Sequence, residues 1–266
     1  MSLCISVLIP DGIVMAGESR TTHVVGGVNR VGSDSANKIF ELNQHVLAAT
    51  AGAAFLKPQN SVVPKSIASL IEEFKASVPV EAGPKEVARL LWSHFNEVHQ
   101  QHIAQSPSEV GTTLHFIVAG YGPDSSEGNL FPVDIPSEVA PEISSRSTNS
   151  APGPWWIGQT DVVARIINGY DPRALQLPFV QAANQEGNAA VLLSSLSYLV
   201  NYSLMSLQDA VDFSVAMIQI TTSIQRFTAG IMTQPGNISG VGGPIDIAVV
   251  KPNGKITWVA RKELHP

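Results

Sequence analysis

Serine follows the initiator methionine, and Ser2 is small enough for methionine aminopeptidase to remove Met1. Removal leaves one residue that carries both a hydroxyl and a free α-amine. A serine hydroxyl attacks a carbonyl only when a base accepts its proton. The α-amine titrates near pH ~8 and stands within reach of its own side-chain oxygen, so it can supply that base. Serine after methionine is also a common way for any chain to begin, and the residue type alone assigns nothing. Three other groupings have reactive types in the wrong context. His94, His99 and His102 fall on one expected helix, only loosely on one face and without a carboxylate-rich partner motif, which reads as a solvated helix. Cys4, the single cysteine, sits in an apolar strand pattern and reads as buried. The GVGG run at Gly240 has no apolar helix after it, as a phosphate loop requires. No metal or cofactor is expected.

The elements that must position Ser2 are legible from hydropathy. The 266 residues are 44% apolar and 14% charged with a net charge of −6, the composition of a packed globular chain with no basic face for nucleic acid. A surface this poor in charge favours cover by other subunits, hence an oligomer. One cysteine excludes a disulfide framework and fits a reducing cytoplasm. The opening run MSLCISVLIP is too short and lacks the basic leader of a signal peptide, and no apolar run is long enough to span a membrane.

Residues 2–9 and 12–18 read as strands around Pro10-Asp11-Gly12, a hairpin at the chain terminus. A polar, Gly-rich connection over 22–37 precedes a second hairpin, KIFEL and HVLAATAG. Ile67, Leu70, Ile71 and Phe74 share one helical face, and a second helix after Gly83-Pro84 carries Val87, Leu91, Phe95 and Val98. TTLHFIVAGYG and FPVDI return to strand, and residues 138–154 read as a surface loop that Trp155 and Trp156 anchor onto the core or onto a subunit contact. Helices follow over about 161–168, 189–202 and 206–225, the last opened by a capping pattern at Ser206 and Asp209, before two strands around Pro252-Asn253-Gly254. This order fits two stacked sheets with helices on both outer faces, an α+β chain in a single domain over 1–266.

Against this background DGIVMAGESRTT resembles the second strand of proteasome β subunits, and NKIFELNQHVLAATAGAA resembles their third and fourth strands. HFIVAGYGP, IGQTDVVARII and GGPIDIAVV extend the likeness over most of the chain, with insertions at 22–37, 122–156 and 226–239. The bacterial relatives called ancestral beta subunits share these features. The resemblance implies the four-layer αββα sandwich of N-terminal-nucleophile hydrolases. It places the nucleophile on Ser2, the acid on Glu18 in place of the family's aspartate, the lysine on Lys38, the oxyanion glycine on Gly52, and the serine that binds the terminal amine on Ser239. Lys38 would stabilise negative charge on the seryl oxygen, and Glu18 would hold the lysine charged and oriented. Gln159 stands where the family has a serine, and Gln225 and Arg226 stand where it has an Arg-Asp pair.

The activity implied is hydrolysis of peptide bonds through an acyl-enzyme, in a cytoplasmic homo-oligomer that limits access to its sites. Two alternatives share the fold: a small-molecule amidase with the same nucleophile, and an inactive proteasome-like scaffold. Substrate preference and any regulatory ATPase are not readable from the residues.

Overall fold

In a computed structural model, residues 2–183, 189–231, 234–235, 238–252 and 255–263 are described. The chain is mixed α and β, built on antiparallel sheets. Its opening strands β1 (Leu3–Ile9) and β2 (Gly12–Gly17) form the expected terminal hairpin. Residues 21–33, read from sequence as a polar connection, form a second hairpin, β3 (Thr21–Val25) and β4 (Val28–Ser33), turning at Gly26-Gly27. Then come β5 (Ile39–Glu41) and β6 (Val46–Gly52), paired as expected, and the two-residue strands β7 (Phe55–Leu56) and β8 (Lys65–Ser66).

Helix α1 (Ile67–Lys75) is capped by Ser66, whose hydroxyl accepts from the amide of Ser69. Helix α2 (Pro84–Gln105) opens with proline in its first turn, where the missing N–H costs nothing. Strands β9 (Leu114–Tyr121), β10 (Gly128–Ile135), β11 (Arg146–Ser147) and β12 (Gly153–Gly158) follow. The 122–156 segment thus contains β10, β11 and the start of β12 with irregular chain between them, and Trp155 and Trp156 belong to a strand and not to a loop anchor. Helices α3 (Asp161–Asn168), α4 (Pro178–Ala183), α5 (Ala189–Ser194) and α6 (Leu207–Phe227) come next. The helix expected over 189–202 ends at Ser194, whereas α6 begins on the expected capping box of Ser206 and Asp209. A short pair, β13 (Gly230–Ile231) and β14 (Gln234–Pro235), precedes β15 (Asp246–Val250) and β16 (Ile256–Ala260); Asn253 and Gly254 of the expected turn lie outside the described residues.

Two five-stranded sheets organise the chain, in the orders β12-β1-β2-β15-β16 and β11-β10-β9-β6-β5. Three apolar clusters follow from strand parity, since alternate side chains leave a strand on opposite faces. Cys4, Leu8 and Met15 of the first sheet join Leu47, Ala49, Ile117 and Ala119 of the second in one cluster. Leu3, Ile5, Val7 and Ile9 point the other way and pack with Val163, Ala210 and Ile218 of α3 and α6. On the second sheet, Val46, Ala48, Leu114, Phe116 and Val118 pack with Ile71, Phe74, Leu91 and Phe95 of α1 and α2. Strand β1 is covered on both faces, so it reads as a continuous apolar run interrupted by Ser6, whose hydroxyl donates to the Val14 carbonyl at 3.2 Å.

Phe95 is fully buried and stacks between Phe74, His94 and Phe116, with ring centroids 4.8 Å apart for the Phe95–Phe116 pair. Its truncation opens a cavity that its helix and sheet neighbours cannot close. Phe95→Ala is expected to cost about 3–5 kcal/mol of stability, read from the urea midpoint at unchanged denaturant slope.

Candidate active site

Ser2 lies one residue before β1 and is 5% exposed. Its carbonyl accepts the amide of Gln159 at 2.6 Å, extending the β1–β12 ladder past the Leu3–Gly158 pair. Gly158 has φ +96°, and a Cβ there would stand 1.9 Å from the Ser2 carbonyl oxygen. Glycine is the residue that lets the two strand ends approach this closely. By parity Ser2 faces the second sheet with Cys4 and Leu8. Gly52 closes β6 opposite it with φ +105°, and a Cβ there would meet the Thr113 carbonyl at 2.4 Å.

Beneath Ser2 lies a buried ion pair. The side chains of Lys38 and Glu18 are 5% and 0% exposed, and the Lys38 ammonium donates to Glu18 Oε1 and, at 2.6 Å, to the Arg20 carbonyl. Glu18 Oε1 also accepts the amide of Leu3 at 3.2 Å, while Oε2 accepts those of Arg20 at 2.7 Å and Gly242 at 2.9 Å. The carboxylate is therefore fully provided with donors, as a buried anion must be. The ammonium has three N–H groups, and two are used in these bonds.

Around the pair stand Arg20 and Asp34, which the sequence did not single out, and Gln159 and Gln225, which it marked as departures from the family pattern without showing that they meet. Arg20 makes a two-pronged ion pair with Asp34, at 2.7 and 2.9 Å, and reaches the Ser239 carbonyl at 3.4 Å. Asp34 is held below the usual carboxylate range by that hydrogen bond. Gln225 donates to the Gln159 side chain at 2.9 Å and accepts the amides of Gly240 and Val241. The two glutamines thus form a neutral bridge between the β12 end and the 240 loop. No sequence signal announces either set, because the partners are separated by 14 to 66 residues.

Ser2, Lys38 and Gly52 line one pocket of about 340 Å³, whose far wall is formed by Ala54, Ile67 and Ala68. Ser2 and Gly52 also border a second cleft with Gly158, Gln159, Thr113 and His115. Glu18 supports this arrangement from below without lining either space. Ser239 lines neither and is tied in through its carbonyl, so the structure brings together four of the five expected residues directly and the fifth through Arg20.

The groups set aside at first sight have structural partners. Cys4 is fully buried, its thiol donates to the Thr50 carbonyl at 3.4 Å, and burial pushes its pKa up to about 12. His99 and His102 are buried, not solvated: His99 Nε2 meets the Thr112 carbonyl at 2.9 Å, and His102 Nδ1 accepts the amide of Lys57. Among the described residues no group of three or more His, Cys, Asp or Glu is placed to hold a metal ion, and no helix is long and apolar enough to cross a membrane.

No protein-family profile matches the chain, and no curated protein matches it. Among solved structures the chain is similar to the Gly-1 mutant of Anbu from Hyphomicrobium sp. strain MC1, with a TM-score of 0.55 and 17% sequence identity over 97% of this chain and 85% of that one. At that identity the likeness is one of fold.

Two outcomes follow from the site as built. Glu18→Gln leaves a buried ammonium without its counter-charge and is expected to cost about 3–5 kcal/mol, part of which a Lys38→Met second substitution restores; urea unfolding of the unsubstituted protein and the two variants measures both. The Cys4 thiol is expected to be inert to a disulfide reagent in the native protein and to react fully in guanidinium, since a buried thiol with a raised pKa offers no thiolate.

Proposed function

We propose that the chain is an N-terminal-nucleophile hydrolase of the proteasome β type, a single αββα sandwich over residues 1–266 that cleaves peptide bonds with Ser2 once Met1 is gone. The observation that carries this reading is the Glu18–Lys38 pair, buried beneath a terminal serine that shares its pocket with Gly52. In the proposed mechanism the freed α-amine takes the hydroxyl proton as Ser2 Oγ attacks the carbonyl carbon. The third N–H of Lys38 stabilises the seryl oxygen, and the Gly52 amide receives the developing oxyanion. The α-amine returns the proton to the leaving amine, which leaves the acyl group as an ester on Ser2. Water then attacks the ester with the same base, releasing the acid and restoring the hydroxyl.

In this reading Ser239 helps to hold the terminal amine, its position fixed by Arg20. A cytoplasmic homo-oligomer belongs to the same proposal, supported by large apolar side chains left exposed at Phe179, Leu192, Tyr198, Leu199 and Phe227. One observation favours a second reading, an inactive scaffold of the same fold. The neutral Gln159–Gln225 bridge occupies the surroundings of the terminus where the proteasome pattern has a hydroxyl and charged groups.

The test is the intact mass of untagged protein before and after exposure to a β-lactone. Loss of methionine with one adduct mapped to Ser2 is the expected result, and retained methionine without an adduct sinks the peptidase and leaves the scaffold. Ser2→Ala and Lys38→Ala are each expected to lower peptide hydrolysis by about a thousandfold or more, and full activity in either variant contradicts the mechanism.

A further inference from the structure

Strand β9 carries a polar residue where its parity calls for an apolar one. Ile117, Ala119 and Tyr121 project into the cluster between the sheets, and His115 is the next position in that row. Its cross-strand neighbours are Ala51 on β6 and Asp134 on β10. His115 stands at the end of the row, where β1 and β12 of one sheet and β6 and β9 of the other border the second cleft at Ser2. The imidazole is therefore not filling the core. It forms part of the wall of the nucleophile's own cleft.

Its orientation is fixed. Nδ1 lies 2.7 Å from Asp134 Oδ1, and this hydrogen bond holds the Asp134 carboxyl below its usual range. With the acceptor-only carboxylate against Nδ1, that nitrogen carries a proton; Nε2 is an acceptor in the neutral ring, and in the imidazolium it is the second donor and the nitrogen left to receive an anion. Nε2 has no partner among the described residues. The other groups facing the imidazole are uncharged: Ala51 from β6, Thr112 and Thr113 from the β9 approach, and Gln159 after β12. The cleft lining contains no carboxylate, and it offers hydroxyl, amide and imidazole donors.

The two spaces that meet at Ser2 differ in character. The first runs past Lys38 to the apolar wall of α1 and suits the side chain of the acyl half of a substrate. The second is shallow, shares only Ser2, Gly52 and Ala53 with the first, and is bordered by the hydroxyl, amide and imidazole groups of Thr112, Thr113, Gln159 and His115, so that in the peptidase reading it takes the departing half. We infer that His115, oriented by Asp134, is a specificity residue that receives a carboxylate on the departing half of the substrate. This inference rests on the peptidase reading for the meaning of "departing half". The carboxylate belongs either to an acidic side chain at the first residue after the cleaved bond or to the C-terminus of a short leaving peptide, and both would take the same Nε2–H.

Binding can be separated from turnover in full-length Ser2→Ala protein. At mildly acidic pH, which favours the doubly protonated form of any histidine ring, three dipeptides are titrated: Asp-Gly amide, Asn-Gly amide and Asn-Gly free acid. Affinity is read by calorimetry, and contact is read from the His115 ring resonances. A partly exposed charged contact is expected to favour one of the carboxylate-bearing probes over Asn-Gly amide by about three- to fivefold, with loss of that preference in the His115→Gln background and a reduction in Asp134→Asn. Preference for Asp-Gly amide identifies the side chain as the source, and preference confined to Asn-Gly free acid identifies the terminus. Equal affinity for all three, or a preference that survives His115→Gln, overturns the inference. Peptide hydrolysis by the unsubstituted protein reports separately on the parent reading: turnover without carboxylate preference removes only the role of His115, and carboxylate binding without turnover removes only the peptidase.

Discussion

A carboxylate with no access to water must find all its donors inside the protein, and Glu18 finds them in four separate parts of the chain. The amide of Leu3 comes from the start of β1, that of Arg20 from just beyond β2, that of Gly242 from the loop before β15, and the ammonium from Lys38 at the entry to β5. Desolvating both charges of such a pair costs several kcal/mol per ion, and only saturated hydrogen bonding offsets it. The four segments cannot shift independently without leaving charge unpaired. The terminal strand, the hairpin base, the lysine and the 240 loop are thereby held in one geometry, and Ser2 inherits it through Leu3.

The glycines that border Ser2 serve the same geometry by a steric route. Gly52 and Gly158 both have positive φ, and in both a Cβ would run into a neighbouring carbonyl oxygen. Each therefore allows a contact between strands that no other residue type permits. The result is that strand ends from two sheets converge on one serine, while the space on either side of it stays open as two different pockets.

Much of this was legible from residue order where a segment has one wet face and one dry face. The β5–β6 hairpin, both long helices and the capping box of α6 follow directly from alternation, from 3.6-residue spacing and from Ser206 with Asp209. The β3–β4 hairpin escaped because it has no dry face: β4 is exposed or half-exposed throughout, so no alternation marks it, although Gly26-Gly27 supplies the turn chemistry. Trp155 and Trp156 misled for the opposite reason. Strand β12 is packed on both sides, with Trp155 against the cluster between the sheets and Trp156 against the helical side, so consecutive apolar residues concealed a period of two. In the candidate site, the resemblance to proteasome β subunits pointed to Ser2, Glu18, Lys38, Gly52 and Ser239, which residue types alone would not have assigned. Arg20 with Asp34, Gln159 with Gln225, and His115 with Asp134 are contacts of tertiary structure with no local pattern to reveal them.

The chain end is ordinarily the part of a protein with the most freedom, because it is tethered from one side only. Here the carbonyl of Ser2 is held by Gln159, and the next amide is held by Glu18, so residues 2 and 3 are fixed as firmly as an interior strand. The entropy of immobilising the terminus is paid when the sheet assembles, long before any ligand arrives. In the proposed mechanism a substrate meeting Ser2 would need to order only itself, and the advantage of a residue that carries its own amine would not come with the looseness that usually accompanies a chain end.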